Sequence, residues 1–397
     1  MSECRLDEIC NIYDCPHYTA ENEGKGYALI RTPNVGRGRL IMSDVHRVSF
    51  ENYKKRNARA TPECGDLIFA REAPAGNIAV IQNGEAVCLG QRTVLLKPNP
   101  KIVNAYYLAY NILTPWQQRR LLAPSAGSIV SHVNLKDIKA FTLTLPTIEQ
   151  QKIIAQVLCA LDDKIELNRR LNDNLEAMAQ ALYDYWFVQF DFPDENGNPY
   201  KSSGGKMVWN EVLKREIPEG WTNSTVQDYI KIGNGKDHKS VGSGEIPCYG
   251  SGGFMFGVAK AIYTGESVLL PRKGSLNNVM LVDGSFWTVD TMFYSEPKMK
   301  GAAKYVYYGI LVYDLASMNL GTGVPSMTST RLYSLKLVGA PYTILAKFDV
   351  VVSPLLSKAR RLLAENKVLA AQRDFLLPLL MNGQVQVKPL NYRLTAD

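Results

Sequence analysis

Two stretches of this chain carry apolar positions at helical spacing for far longer than a core helix needs. In the first they step by three and four through Ile154, Leu158, Leu161 and Ile165, then Leu171, Leu175, Met178, Leu182 and Tyr185. The spacing predicts a helix over about 147–187, opened after Pro146 by a capping box of Thr147 and Gln150. Asn168 stands in the stripe, and the phase slips there by one residue. The second stretch, about 343–381, repeats Phe348, Val352, Leu355, Ala359, Leu362, Asn366, Leu369, Arg373, Leu376 and Leu380 without a slip. Pro354 predicts a kink, or a restart capped by Ser353. A stripe this narrow is a coiled-coil seam and must be covered, most simply by the other helix. Each rod would span roughly 60 Å.

Elsewhere the period shortens to that of strands. GDLIFAREAPAGNIAVIQNG begins at Gly65 and GESVLLPRKGSLNNVMLVDG at Gly265. They align without a gap, Gly65 on Gly265, Asn77 on Asn277 and Gly84 on Gly284, and each reads as strand, turn, strand. The likeness extends upstream, LDEICNIYDCPHYTA against VQDYIKIGNGKDHKS, which matches His17 with His238. Downstream, SAGSIVSHVNLKDIKAFTLTLP matches GTGVPSMTSTRLYSLKLVGAP. Repeats this long are duplicated domains, not solenoid units. The expected fold class is α+β, with two tandem strand-rich mixed domains and two long coiled-coil helices. The expected boundaries are a domain over 1–146, a helix over 147–190, a linker over 191–216, a domain over 217–341, a helix over 342–385 and a tail over 386–397. The linker is rich in Pro, Gly, Ser and charge. Its Asn198-Pro199-Tyr200 lacks the second proline of an adenine-methyltransferase motif and reads as a turn.

Charge and composition narrow the function. A net charge of +7 permits a polyanionic partner without demanding one. The seven cysteines include no CxxC pair, and Cys4, Cys10 and Cys15 beside His17 fit no zinc spacing, so reduced thiols in a cytoplasmic protein are expected. The start, MSECRLDEIC, reads as no signal peptide, and no apolar run reaches the ~20 residues of a membrane span. There is no phosphate loop, dinucleotide fingerprint, HExxH or GxSxG, and only four histidines. A binding role is therefore expected, with no catalytic residue and no metal site.

The predicted loops carry the chemistry of nucleic-acid contact. Arg37 and Arg39 flank Gly38, while Lys54, Lys55, Arg56 and Arg59 form a basic run, and Arg71 follows the first strand of its repeat. Ser131 and His132 close the downstream turn, and Lys236 and His238 lie upstream in the second copy. PRKGSLNN gathers Arg272, Lys273, Ser275, Asn277 and Asn278. Arginine can fork to guanine, asparagine to adenine, and lysine and serine can reach phosphates. Any one of these alone is accounted for by a solvated loop charge; the cluster points to DNA. The helix-seam and subunit-interface candidates are Leu158, Leu161, Ile165, Leu171, Leu175, Met178, Leu182, Val352, Leu355, Leu362, Asn366, Leu369 and Leu376.

IPEGW, IPCYGSGGFM, PRKGSLNN, FWTVDTMF, GTGVPSMT, EQQKIIAQVL and RDFLLPLLMNGQV together resemble the specificity subunit of type I restriction-modification enzymes, over the whole chain. The first domain departs most: it lacks a clear PEGW opening, and SAGSIVSHV replaces the Gly-Val-Pro-Ser-like turn. The resemblance implies two target-recognition domains, each reading half of a bipartite double-stranded DNA site, in a pseudo-twofold body. It implies antiparallel helices that set the gap and dock DNA adenine methyltransferase subunits, usually two, together with a motor-nuclease subunit. S-adenosylmethionine, ATP and magnesium would sit on those partners and none on this chain. Two other readings stay open at this point: a module whose single partner both methylates and cleaves, and a coiled-coil scaffold without DNA.

Overall fold

The computed structural model describes residues 2–82, 84, 86–123, 131–319 and 323–387. Four of its helices organise the chain: α1 (Ala105–Ile112), α2 (Ile148–Tyr183), α3 (Ala302–Leu311) and α4 (Tyr342–Met381). The chain forms two compact units, Met1–Asn168 with Ala364–Asp397, and Arg169–Leu363. Their borders cut through α2 and α4 instead of falling where those helices begin. In each unit, half of α2 lies against the opposite half of α4.

In the first unit a five-stranded sheet runs in the order Cys10–Asp14, Thr93–Pro98, Leu67–Ala70, Ile78–Val80, Gly38–Arg39. Its central strand is apolar throughout because both faces are covered. Leu67 and Phe69 pack on one side with Tyr107 and Leu108 of α1, and Ile68 and Ala70 pack on the other with Ile30 and Leu89. A three-stranded sheet, His46–Val48, Tyr27–Ile30, Val87–Leu89, adds a second layer.

The second unit repeats the central order: Ile230–Asn234, Met292–Pro297, Ser267–Pro271, Met280–Val282. The duplication is thus structural, with one correction to its register. Ile68 pairs with Ala79 and Leu269 pairs with Met280, so Ile68 corresponds to Leu269 and Asn77 to Asn278. The strands thus correspond one residue later than the gap-free sequence alignment has them. Likewise Asp14 opposite Val94 matches Asn234 opposite Phe293, which places His17 against Asp237, not His238.

The helices carry most of their expected features. Gln150 N donates to Thr147 Oγ1 (3.4 Å) and Thr147 N to Gln150 Oε1 (3.3 Å), closing the capping box. In the first unit Asp162 meets Arg373 at 2.8 Å, and Asn168 donates to Asn366 at 3.0 Å, so α2 and α4 run antiparallel there. In the second unit the Trp186 ring, just beyond α2, lies 5.7 Å from that of Phe348 near the start of α4. Leu158, Val352 and Leu362 are buried, and Leu161, Ile165, Leu175, Leu182, Leu355, Asn366, Leu369 and Leu376 are half-buried.

Two expectations for the helices fail. The phase does not slip at Asn168: Asn172 and Ala179 are buried, while Leu171 and Met178 face solvent at 40% and 53% exposure. Holding phase keeps the Asn168 amide on Asn366 and Glu365, partners that a slipped frame would strand. Nor does α4 restart at Pro354. Ser353 lies mid-helix with its hydroxyl on Asp349, and the carbonyl orphaned by Pro354 belongs to Val350, itself exposed to water.

The stretch 191–216 makes its own contacts. Phe192 stacks between Tyr200 and Trp221 at 4.8 and 4.9 Å, and Asp191 accepts Ser202 N and Oγ at 2.7 and 2.6 Å. Met207–Asn210 then pairs antiparallel with Arg215–Pro218. The tail expected over 386–397 lies outside the described residues beyond Val387.

Candidate nucleic-acid interface

Each unit builds a corner where its central strand ends, and the two corners share a frame. In the first unit, Arg71 N donates to the Arg92 carbonyl (2.9 Å) and its own carbonyl accepts Val133 N (3.0 Å). In the second, Arg272 N donates to the Thr291 carbonyl (2.9 Å) and its carbonyl accepts Met327 N (2.9 Å). The next residue bridges across in both: Glu72 to His132, Lys273 to Ser326. An arginine is thus fixed at one place in each copy, while its neighbours change from Glu and His to Lys and Ser.

Those changes give the corners different electrostatics. Arg71 Nη2 lies 3.1 Å from His132 Nε2, and Nη1 reaches Asp14 at 3.4 Å. His132 Nδ1 lies 2.6 Å from Glu72 Oε1, and Glu72 also pairs with Arg92. A proton on Nδ1 lets the imidazole donate to Glu72 while accepting from Arg71. His17 joins the chain through Asp14 at 3.2 Å. The first corner is therefore a charge-balanced network. In the second, Arg272 leans over the Phe293 ring at 5.7 Å, and Lys273 and Ser275 stand exposed.

The second corner is bordered by a hairpin, Ser243–Gly250 and Gly253–Val258, which turns at Ser251 and Gly252. Asn278 Nδ2 donates to the Ser251 carbonyl at 2.8 Å, and Ser251 N reaches Thr291 Oγ1 at 3.4 Å. His238 packs its ring 4.7 Å from Phe256 of the same hairpin. Lys236 N donates to the Thr288 carbonyl at 2.9 Å, leaving the ammonium exposed. Lys236, His238, Arg272, Lys273, Ser275 and Asn278 thus gather around one hairpin. Ser251, Phe254 and Met255 of the hairpin border the same corner and were not among the sequence candidates; the apolar pair after a glycine run was the available signal.

Three candidates are engaged inside the fold. Arg56 is 3% exposed and donates to the carbonyls of Leu89 (2.7 Å) and Tyr18 (3.0 Å), so it cannot reach a phosphate. Arg39 turns toward α2, bonding Asp163 at 2.5 Å and the Cys159 carbonyl at 3.4 Å. Asn277 donates to Asp314 (2.9 Å) and accepts Ala316 N (2.9 Å), so neither end of its amide is left to fork to adenine. That donated bond is the main cause holding the Asp314 carboxyl below its ordinary pKa. Asn277→Ala is accordingly expected to loosen this loop slightly, with no base preference lost. Denaturant titration beside half-site binding measures both, and loss of one base preference at unchanged stability would contradict it.

The remaining first-unit candidates lie apart from the corner or at its rim. Arg37 donates to the Leu113 carbonyl at 3.1 Å, Lys54 lies over Phe50 and Lys55 over Tyr18. Arg59 is exposed and reaches the Asp14 carbonyl at 3.5 Å. Ser131 is exposed beside His132, but most of the turn before it, residues 124–130, lies outside the described residues, as do 320–322 of the matching turn. Among the described residues no His, Cys, Asp or Glu group is arranged to hold a metal. Burial pushes the Cys10 thiol up to about 12, keeping it protonated. Among the described residues no helix is long and apolar enough to cross a membrane.

Residues 1–177 match the family model described as "Type I restriction modification DNA specificity domain". The type I restriction enzyme MjaIX specificity subunit of Methanocaldococcus jannaschii is 27% identical over 363 residues, 85% of this chain and 81% of the relative. The HindI specificity subunit of Haemophilus influenzae is 28% identical over 32% of this chain and 28% of its own length. The crystal structure of the type I restriction-modification S subunit from M. genitalium shares the fold, with a TM-score of 0.60 at 18% identity, over 96% of this chain and 95% of that one. Over most of its length, then, the chain is similar to specificity subunits of type I restriction enzymes, and its first part matches their DNA specificity domain.

Proposed function

We propose that each unit presents its corner to the major groove of one half of a bipartite DNA site. The observation that carries this reading is the shared corner itself: one backbone frame and one arginine, at Arg71 and Arg272, with exchanged neighbours. A scaffold that keeps its frame and varies its side chains suits two half-sites of different sequence. Arg272, Lys273, Ser275, Asn278, Lys236 and His238 are the contacts proposed for the second half-site. Arg71, His132, Ser131, His17, Arg59, Arg37, Lys54 and Lys55 are those proposed for the first. Affinity falls steeply with salt on this reading, because phosphate contacts release counterions.

The chain itself catalyses nothing in this scheme. Adenine methyltransferase subunits dock on the long helices, whose exposed Leu167, Leu171, Met178, Val368 and Phe375 suit a protein partner. S-adenosylmethionine belongs to those subunits, and ATP and magnesium to a motor-nuclease subunit. The helices fix the gap between half-sites by their length. Inserting four residues into α2, about 6 Å of helix, is expected to change the number of unread base pairs while both half-sites stay the same. Sequencing of methylated adenines in cells carrying this chain and its partner tests the whole reading. An unchanged gap would defeat the ruler, and a one-part methylated site would defeat the two-reader scheme.

A further inference from the structure

The hairpin beside the second corner ends in an exposed apolar pair. Phe254 and Met255 are 64% and 48% exposed. Successive residues of a strand point to opposite faces, so exposure of both means that the tip projects from the sheet. The glycines at the tip allow this, and Gly253 has φ of +109°, a conformation that strains any residue with a side chain. The tip is nevertheless anchored. The Ser251 carbonyl accepts from Asn278, Ser251 N reaches Thr291, and Phe254 lies edge-on to Tyr249 at 6.3 Å. Lys273 and Lys236 stand exposed on the two segments that flank it.

We propose that Phe254, with Met255 beside it, is a wedge that enters a base step of the second half-site and unstacks it. The inference rests on the DNA-reading role proposed above and adds a mechanism to it. Apolar side chains are inserted between bases where flanking cations hold the phosphates, and the unstacking is repaid by closer contact. Duplex DNA is the occupant that the charges select, since an apolar tip between lysines opposes a polyanion. Among the described residues the first unit has no matching tip. Its strands Tyr27–Ile30 and His46–Val48 pair like the two hairpin strands but are joined by residues 31–45, which include Arg37 and Arg39. The distortion therefore belongs to one half-site.

The test uses the full chain with its methyltransferase partner and duplexes carrying 2-aminopurine at successive positions of either half-site. Apart from the target adenines, which the methyltransferase itself flips out of the stack, the wild type is expected to raise fluorescence at one step of the second half-site and nowhere in the first. Phe254→Ala is expected to abolish that rise and weaken binding about tenfold, within the range of one lost base–aromatic contact. Phe254→Leu, still an apolar wedge, is expected to keep most of it. At 64% exposure neither substitution disturbs the core. A wild type that binds its site in a salt-dependent way with no fluorescence change would overturn the wedge and leave the DNA-reading role standing. Phe254→Ala that loses the methyltransferase but keeps the signal would reassign the tip to a protein contact. Binding with no preference for the site would overturn both readings.

Discussion

Replacing Phe348 by alanine is expected to destabilise the second unit by about 3–5 kcal/mol. Phe348 is fully buried on α4, and its ring lies edge-on to those of Phe187 at 5.1 Å and Tyr183 at 6.2 Å. Trp186 at 5.7 Å and Tyr308 at 6.4 Å complete the cluster. Edge-to-face ring pairs add to the burial energy, and a cluster of large rigid rings collapses poorly around a void. The same rings join α2, α3 and α4, so the loss falls on the attachment of the recognition domain to its helices. Trp186 and Trp221 report the transition in a denaturant titration followed by fluorescence. A loss below about 1 kcal/mol would show that the cluster repacks.

The second large effect is electrostatic. Asp162 of α2, 4% exposed, accepts from the Tyr110 hydroxyl of α1 at 2.5 Å and from Arg373 of α4 at 2.8 Å. Burial, and then the Asp162 charge, push the Tyr110 phenol far above its ordinary pKa, so it remains a donor. Asp162→Ala strands the mostly buried Arg373 guanidinium with only Asp374 and leaves a buried hydroxyl without its acceptor. Removing one partner of such a pair costs about 3–5 kcal/mol. Asp162→Leu combined with Arg373→Met is expected to recover most of that, since no buried charge remains. Unfolding of the single and double variants decides it: a double variant as unstable as the single one would show that the stabilisation is not electrostatic.

The long helices were legible because a stripe of period three and four persists over many turns, and Thr147 and Gln150 mark its start. The duplication was legible because glycines and apolar runs recur in order. Register was not. A gap-free alignment has no means of seeing a shift of one residue between the copies; the ladder partners of Ile68 and Leu269 do. The phase at Asn168 was lost for a related reason. Leu171 and Met178 look like seam residues by hydrophobicity, but the amide pair of Asn168 and Asn366 decides the frame. At the candidate interface, residue type overstated availability. Arg39, Arg56 and Asn277 have the chemistry of DNA contacts, yet tertiary neighbours far along the chain engage them.

The segmentation of the chain also bears on how it is made. The second unit is one uninterrupted segment, Arg169–Leu363, whereas the first needs residues from Ala364 onward to cover the opening half of α2. On a ribosome, domains close as their residues emerge. The segment made later is therefore the first to have its full complement of residues. The one begun first must wait, its Leu158 and Tyr110 uncovered, until Leu377 and Leu380 of the closing helix arrive to finish that cluster.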